Sequence, residues 1–327
     1  GWMPAACVVA GVGAGLLGRA RAPAGPADVR STAPNTPRYA LGIALGVAAW
    51  TVADWSFPAQ LALDRGMFGG DSVWYHMPFS ARFAQEQSIA PLHFTDPLRL
   101  AVWFYPQAFE LLNGTWIALF ESDFLAPLMN LGWLALGLLA AWCFGRPYGV
   151  APATLVAAAL VFDSGVMWET QAGEARNDIM ALALLLACAA ILVNGHRVNT
   201  GPPAEGGASR GALIGTGPLI VAGLAAGLAI STKLTMLVPV AAIALGVIMV
   251  SAPRARRATG LALGGAIFVT GAYWYARNLV HSGNPLPLFS GIGPIALPHP
   301  EQMELYPRPP HSVAGYLLDP SVYRHWF

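Results

Sequence analysis

Four stretches of this chain concentrate the side chains that could do chemistry, and each lies beside or between long apolar runs. The first is Gly69-Gly70-Asp71, running into Tyr75, His76 and Pro78. Two glycines lead a flexible turn into a carboxylate, which can cap a helix N-terminus or act as an acid–base group, and the first role does not exclude the second. The second stretch, WETQAGEARND, carries Glu169, Glu174, Arg176, Asn177 and Asp178. So many charges would cost several kcal/mol against lipid, so they face water, a cavity or one another. A plain wet loop is the alternative. Third comes Lys233, the only lysine of the chain, in AISTKLTML. With Ser231 and Thr232 it offers ammonium and hydroxyl donors suited to a phosphate oxygen, while snorkelling of an interfacial lysine is the competing explanation. Fourth are Arg277 and Asn278, in YWYARNLVHSGNPLPLF. Arg277 either anchors a helix end or meets a negatively charged partner.

Carboxylates and a histidine on one side, and cations able to hold a phosphate on the other, suit transfer of a group from a phosphate leaving group. A base deprotonates or orients the acceptor, and fixed positive charge stabilises the departing phosphate. Asp71, His76, Asp178 and Glu174 are the candidates for the first task. Lys233, Arg277, Arg176 and Asn278 are the candidates for the second. Asp71 and Asp178 could also hold a divalent cation, so metal dependence stays open and no cofactor is certain. At a membrane surface the natural donor is lipid-linked.

The elements that must position these groups are membrane helices. In 327 residues, 55% are hydrophobic and 11% charged, far from the roughly one-quarter charged content of soluble domains. An all-α, polytopic helix bundle is expected, with no nucleic-acid footprint. Cys7, Cys143 and Cys188 sit in apolar runs without metal-ligand or CxxC spacing. Runs of spanning length lie at 3–17, 40–58, 125–144, 150–168, 178–194, 212–231, 234–250 and 259–276, about eight spans in all. The first is read as a membrane helix rather than a signal peptide. Their Gly and Ala content suits close packing in lipid.

Arg19, Arg21, Arg30, Arg38, Arg146, Arg197, Arg210, Arg254, Arg256 and Arg257 all fall in alternate loops, accompanied only by the acids Asp28 and Glu205. Placing those loops in the cytoplasm makes every helix alternate without conflict. A single membrane domain over 1–327 follows, with outer segments at 59–124 and 277–327 and a Gly/Pro-rich cytoplasmic linker at 195–211. Within the first outer loop, 71–87 and 105–120 have helical periodicity and read as interfacial helices. The chain begins at Gly1 and ends at Trp326-Phe327 inside an outer segment, so a piece of a longer protein is expected.

GGDSVWYHMPFSARF, YPQAFELL, GEARNDIMALALLLA, AISTKLTML and YWYARNLVHSGNPLPLF, in this order, resemble the integral-membrane GT-C glycosyltransferases, in particular their protein mannosyltransferase-like branch. The likeness covers about residues 40–290. It implies a GT-C-like fold and a polyprenyl-phosphate sugar as donor, with an extracytoplasmic glycan, lipid or protein as acceptor. The setting implied is the plasma membrane of a bacterium, with the site facing outward. By position, Asp71 matches the essential acidic residue of the first outer loop and Asp178 a second acidic position, while Lys233 and Arg277 would meet the donor phosphate. Two departures bear on a protein acceptor: Asp71-Ser72 stands where protein O-mannosyltransferases have Asp-Glu, and no soluble outer domain is visible.

Two other classes fit the same composition. A transporter or flippase would line a path with polar groups, whereas here the spans are nearly free of ionisable residues apart from Asp163 and Asp54, and paired broken helices are not evident. A non-catalytic relative that binds a lipid-linked sugar is the other.

Overall fold

The computed structural model describes residues 37–92, 100–199, 214–292 and 294–298. Those residues are mostly helical, joined by turns and loops, with one short hairpin pairing Gly291–Ile292 with Ile295–Ala296. The expected run at 3–17, most of the linker at 195–211 and the segment beyond 298 lie outside the described residues.

Helix α1 (Arg38–Arg65) stops where Gly66 takes φ +88° and donates its N–H to the Ala62 carbonyl. The chain then turns into a short π-helical stretch, Ser72–His76, continuous with α2 (Met77–Glu86). Pro78 explains the wide turn. A proline inside a helix has no N–H to donate and its ring crowds the carbonyl four residues back, and the π-turn, closed by Met77 N–H to Ser72 C=O, makes that room. Helix α3 (Ala108–Phe120) packs on α2 and runs in the same direction, with Glu110 beside His76 and Gly114 beside Ser80. Helices are therefore present at both places where they are expected, 71–87 and 105–120.

The remaining helices are α4 (Ala126–Gly145), α5 (Ala151–Phe162), α6 (Gly165–Gln171), α7 (Asp178–Asn199), α8 (Thr216–Thr232), α9 (Leu237–Val250), α10 (Arg256–Gly271) and α11 (Tyr273–Ser282). Neighbours pack in the order α10, α8, α7, α4, α5, α1. Leu184, Leu219, Ala222, Ala226 and Leu263 fill one half of the core, and Trp55, Leu134, Leu155, Phe162 and Ile179 the other. The α8/α10 contact depends on small residues: a Cβ on Gly223 would lie 2.6 Å from Ala266 Cβ and 2.7 Å from the Leu263 carbonyl. Such close backbone approach is how helices associate in lipid. Opposite faces leave Trp50, Phe57, Leu160, Phe268 and Val269 exposed, a surface suited to acyl chains rather than water.

Among the described residues, three helices, Arg38–Arg65, Ala126–Tyr148 and Asp178–His196, are long and apolar enough to cross a membrane. The run expected as one span at 150–168 is broken instead: α5 and α6 meet at 63° and together make a fourth candidate. Asp163 and Ser164 sit at the break, where the Ser164 hydroxyl donates to the Val161 carbonyl at 2.8 Å. One broken helix is thus present among the described residues. The apolar helices α8 and α9 fall short of spanning length, at 17 and 14 residues.

Candidate functional site

Asp71, Glu174, Arg176, Asp178 and Lys233 come together at one end of the helices. The segment between α6 and α7 is the organiser. Glu174 Oε1 accepts the backbone N–H of Phe68 at 3.0 Å and of Gly69 at 2.8 Å. Gly69 must be glycine for this, because a Cβ there would lie 2.5 Å from Glu174 Oε2. Next along the chain, the Ala175 N–H donates to Ser72 Oγ at 3.1 Å. These cross-links bring Asp71 to Arg176, and the two form an ion pair through Oδ2 and Nη2. Asp71 has helical backbone angles and makes no capping hydrogen bond, so its carboxylate is committed to the arginine rather than to the helix end.

Two residues further, Asp178 opens α7 and pairs through Oδ1 with Lys233 Nζ, which follows the last turn of α8. Its other oxygen accepts from Gln171 Nε2 at 3.0 Å, and Gln171 Oε1 in turn accepts the Asp178 N–H at 3.1 Å. Asn177 Nδ2 donates to the Thr232 carbonyl at 3.0 Å, tying the loop to the residue before Lys233. Underneath, Asn130 of α4 directs Nδ2 to the carbonyls of Gln171, Glu174 and Arg176, each at 2.9 Å. Gly173 takes φ +71° where a Cβ would strike the Pro58 carbonyl of α1.

The backbone of this loop is therefore fixed on every side, while the four paired side chains stay between 20 and 39% exposed. That combination suits ligand binding: the groups are open to solvent and their anchors are not.

His76, Arg277 and Asn278 belong to a second, buried cluster beside the first. His76 pairs through Nδ1 with Glu110 of α3, both about 2% exposed. Arg277 of α11 donates to Gln107 Oε1 at 2.9 Å and the Trp103 carbonyl at 2.8 Å, and its guanidinium lies 4.7 Å from the Trp274 ring centroid. Burial lowers the Arg277 pKa to about 10, opposed by the charges of Tyr273 and Glu110. Asn278 Nδ2 donates to the Phe104 carbonyl at 2.8 Å. Tyr75 bridges the clusters, its ring 4.1 Å from that of His76, and its phenol pKa is raised by burial and then by the Asp71 and Glu110 carboxylates. The side chains of Arg277 and Asn278 are thus spent largely on protein groups, whereas those of Arg176 and Lys233 face the open site.

Sequence reasoning did not single out Glu110, Gln107, Gln171 or Asn130. Asn130 carried the clearest signal, an amide near the start of a helix otherwise free of ionisable groups. Among the described residues, no group of three or more His, Cys, Asp or Glu is arranged to hold a metal ion. Asp71 and Asp178, the two carboxylates for which the sequence leaves a divalent cation open, each pair with a side-chain cation, Arg176 and Lys233. Comparison with protein-family models, curated proteins and solved structures returned no match.

Proposed function

We propose that this protein is a membrane glycosyltransferase that moves a sugar from a polyprenyl-phosphate donor to an acceptor on the outer side of a bacterial plasma membrane. The observation that carries this reading is the pair of adjacent, solvent-open ion pairs, Asp71–Arg176 and Asp178–Lys233, on a loop whose backbone is locked. Arg176 and Asp178, two positions apart on that loop, anchor one pair each.

In the proposed reaction Asp71 accepts the proton of the acceptor hydroxyl as its oxygen bonds to the anomeric carbon. The bond from that carbon to the phosphate oxygen breaks, and its electron pair leaves with the polyprenyl phosphate. Arg176 and Lys233 hold the charge that develops there. Asp178, fixed by Gln171, keeps Lys233 in register. Arg38, Arg146, Arg254, Arg256 and Arg257 cluster at the opposite ends of the helices, which supports an outward-facing site under the positive-inside rule.

Purified full chain in detergent, offered a panel of polyprenyl-phosphate sugars, tests the reading. Turnover lost in Asp71→Asn is expected, and full activity in that variant, folded, would remove Asp71 from the mechanism. The break at Asp163 favours a second reading, a transporter, because discontinuous helices often build substrate paths. Cysteine labelling separates the two: a transferase pocket is reached from one face only, and a transport path from both in turn.

A further inference from the structure

We propose that the two ion pairs form a charge-exchange latch, in which an incoming phosphate takes Arg176 and Lys233 from Asp71 and Asp178 and so frees the carboxylates. This rests on the site holding a phosphate, as proposed above, and adds the order of events: donor first, base second.

Among the described residues, neither cation of the open site is free. Arg176 is held by Asp71 and Lys233 by Asp178. The third carboxylate, Glu174, is tied through Oε1 to the amides of Phe68 and Gly69, and its buried Oε2 has no hydrogen-bond partner among the described residues. A phosphate arriving here meets more carboxylates than cations, so it binds only by outcompeting the carboxylates.

The competition is winnable because both pairs are partly exposed, and ion pairs of that kind are weak. A phosphate offers several oxygens to the planar guanidinium and to the ammonium at once. The exchange is a matter of side chains alone. Asn130 fixes the Arg176 carbonyl, Ser72 the Ala175 amide and Gln171 both the amide and the carboxylate of Asp178. Asn177 ties the Thr232 carbonyl beside Lys233. When the cations swing to phosphate, Asp178 keeps a hydrogen-bond partner and Asp71 has none, so Asp71 alone is released to take the acceptor's proton. With no donor bound, Arg176 occupies Asp71 and the base is masked.

A latch of this kind makes an unusual forecast: removing a carboxylate tightens phosphate binding. Calorimetric titration of the full chain in detergent with inorganic diphosphate and, separately, farnesyl phosphate reads it out. Asp71→Asn is expected to bind about threefold to tenfold more tightly than the wild type. Arg176→Gln is expected to bind at least about tenfold more weakly. In the Arg176→Gln background, Asp71→Asn should give no tightening, because no held cation remains to be released.

Unchanged or weaker binding by folded Asp71→Asn, with Arg176→Gln still weakened, would overturn the latch and leave the phosphate reading intact. Tightening that persists in the double variant would assign it to net charge and also overturn the latch. Binding of neither probe by any variant would remove both. A response to farnesyl phosphate alone identifies a lipid source, and to both probes a phosphate recognised apart from its lipid, each with the latch judged by the same variants.

Discussion

Replacing Asn130 with Ala should loosen the loop that carries the site. Its side chain is fully buried and one NH2 group serves three carbonyls, those of Gln171, Glu174 and Arg176. Two hydrogens can make at most two full bonds, so the loss is that of about two buried carbonyl partners. A buried group left unpaired costs ~1–3 kcal/mol, and some of these carbonyls would regain water, giving about 2–4 kcal/mol in all. Asn130→Asp, isosteric but without donors, faces a carboxylate toward the same three carbonyls and should cost more than Ala. Thermal unfolding in detergent orders the three proteins as wild type, Ala, Asp. Turnover should fall in step, since Arg176 and Asp178 lose their fixed backbone. An Asp variant as stable as the wild type would refute the clamp.

Gly173→Ala should destabilise strongly, because a positive φ and the Pro58 carbonyl of α1 both oppose a side chain there; unfolding at the wild-type temperature would contradict this. For the buried pair, Glu110→Leu or His76→Phe alone should each cost ~3–5 kcal/mol, while the double variant should cost less than the two singles combined; additive losses in a double-mutant cycle would mean the pair is not coupled. Alkaline stability carries a sign that can be checked. The folded pKa of Tyr75 lies above its ordinary 10.0, so its contribution is intact below that pH and declines above it as the unfolded chain ionises. Arg277, lowered to about 10, works in the opposite direction above that pH, so the comparison to make is wild type against Tyr75→Phe. The variant should lose less stability between pH 10.0 and 12, and identical curves would discount the burial of the phenol.

Much of the helix plan could be read from the sequence because it is written in local, periodic signals. The run expected at 125–144 is Ala126–Gly145, and the interfacial helix at 71–87 is Ser72–Glu86. Breaks were harder to see. Asp163-Ser164 interrupts a run of uniform hydropathy, and only the shape of its surroundings turns two polar residues into a 63° bend. Likewise α10 ends at Gly271 and α11 starts at Tyr273, within the run expected as one span to 276.

Of the candidate site, the residue types were legible and the pairings were not. Asp71 and Arg176 are 105 positions apart, Lys233 and Asp178 are 55 apart, and no short-range pattern encodes such contacts. Arg277 and Asn278 looked from the sequence like phosphate ligands because they leave a helix end beside a turn. In the fold both lie within α11, a turn before its end, and Gln107 and the carbonyls of Trp103 and Phe104 take their donors. Glu110 escaped notice for a related reason: its role exists only once α3 lies on the π-turn that holds His76.

A single-turnover reaction with a radiolabelled polyprenyl-phosphate sugar is the most direct measurement, comparing wild type with Asp71→Asn and Arg176→Gln. Glycosylated acceptor and free polyprenyl phosphate should form in equal amounts in the wild type, with both products lost in Asp71→Asn and slowed in Arg176→Gln. Donor that stays intact with every acceptor offered, or that crosses a sealed vesicle unchanged, would contradict sugar transfer at this site.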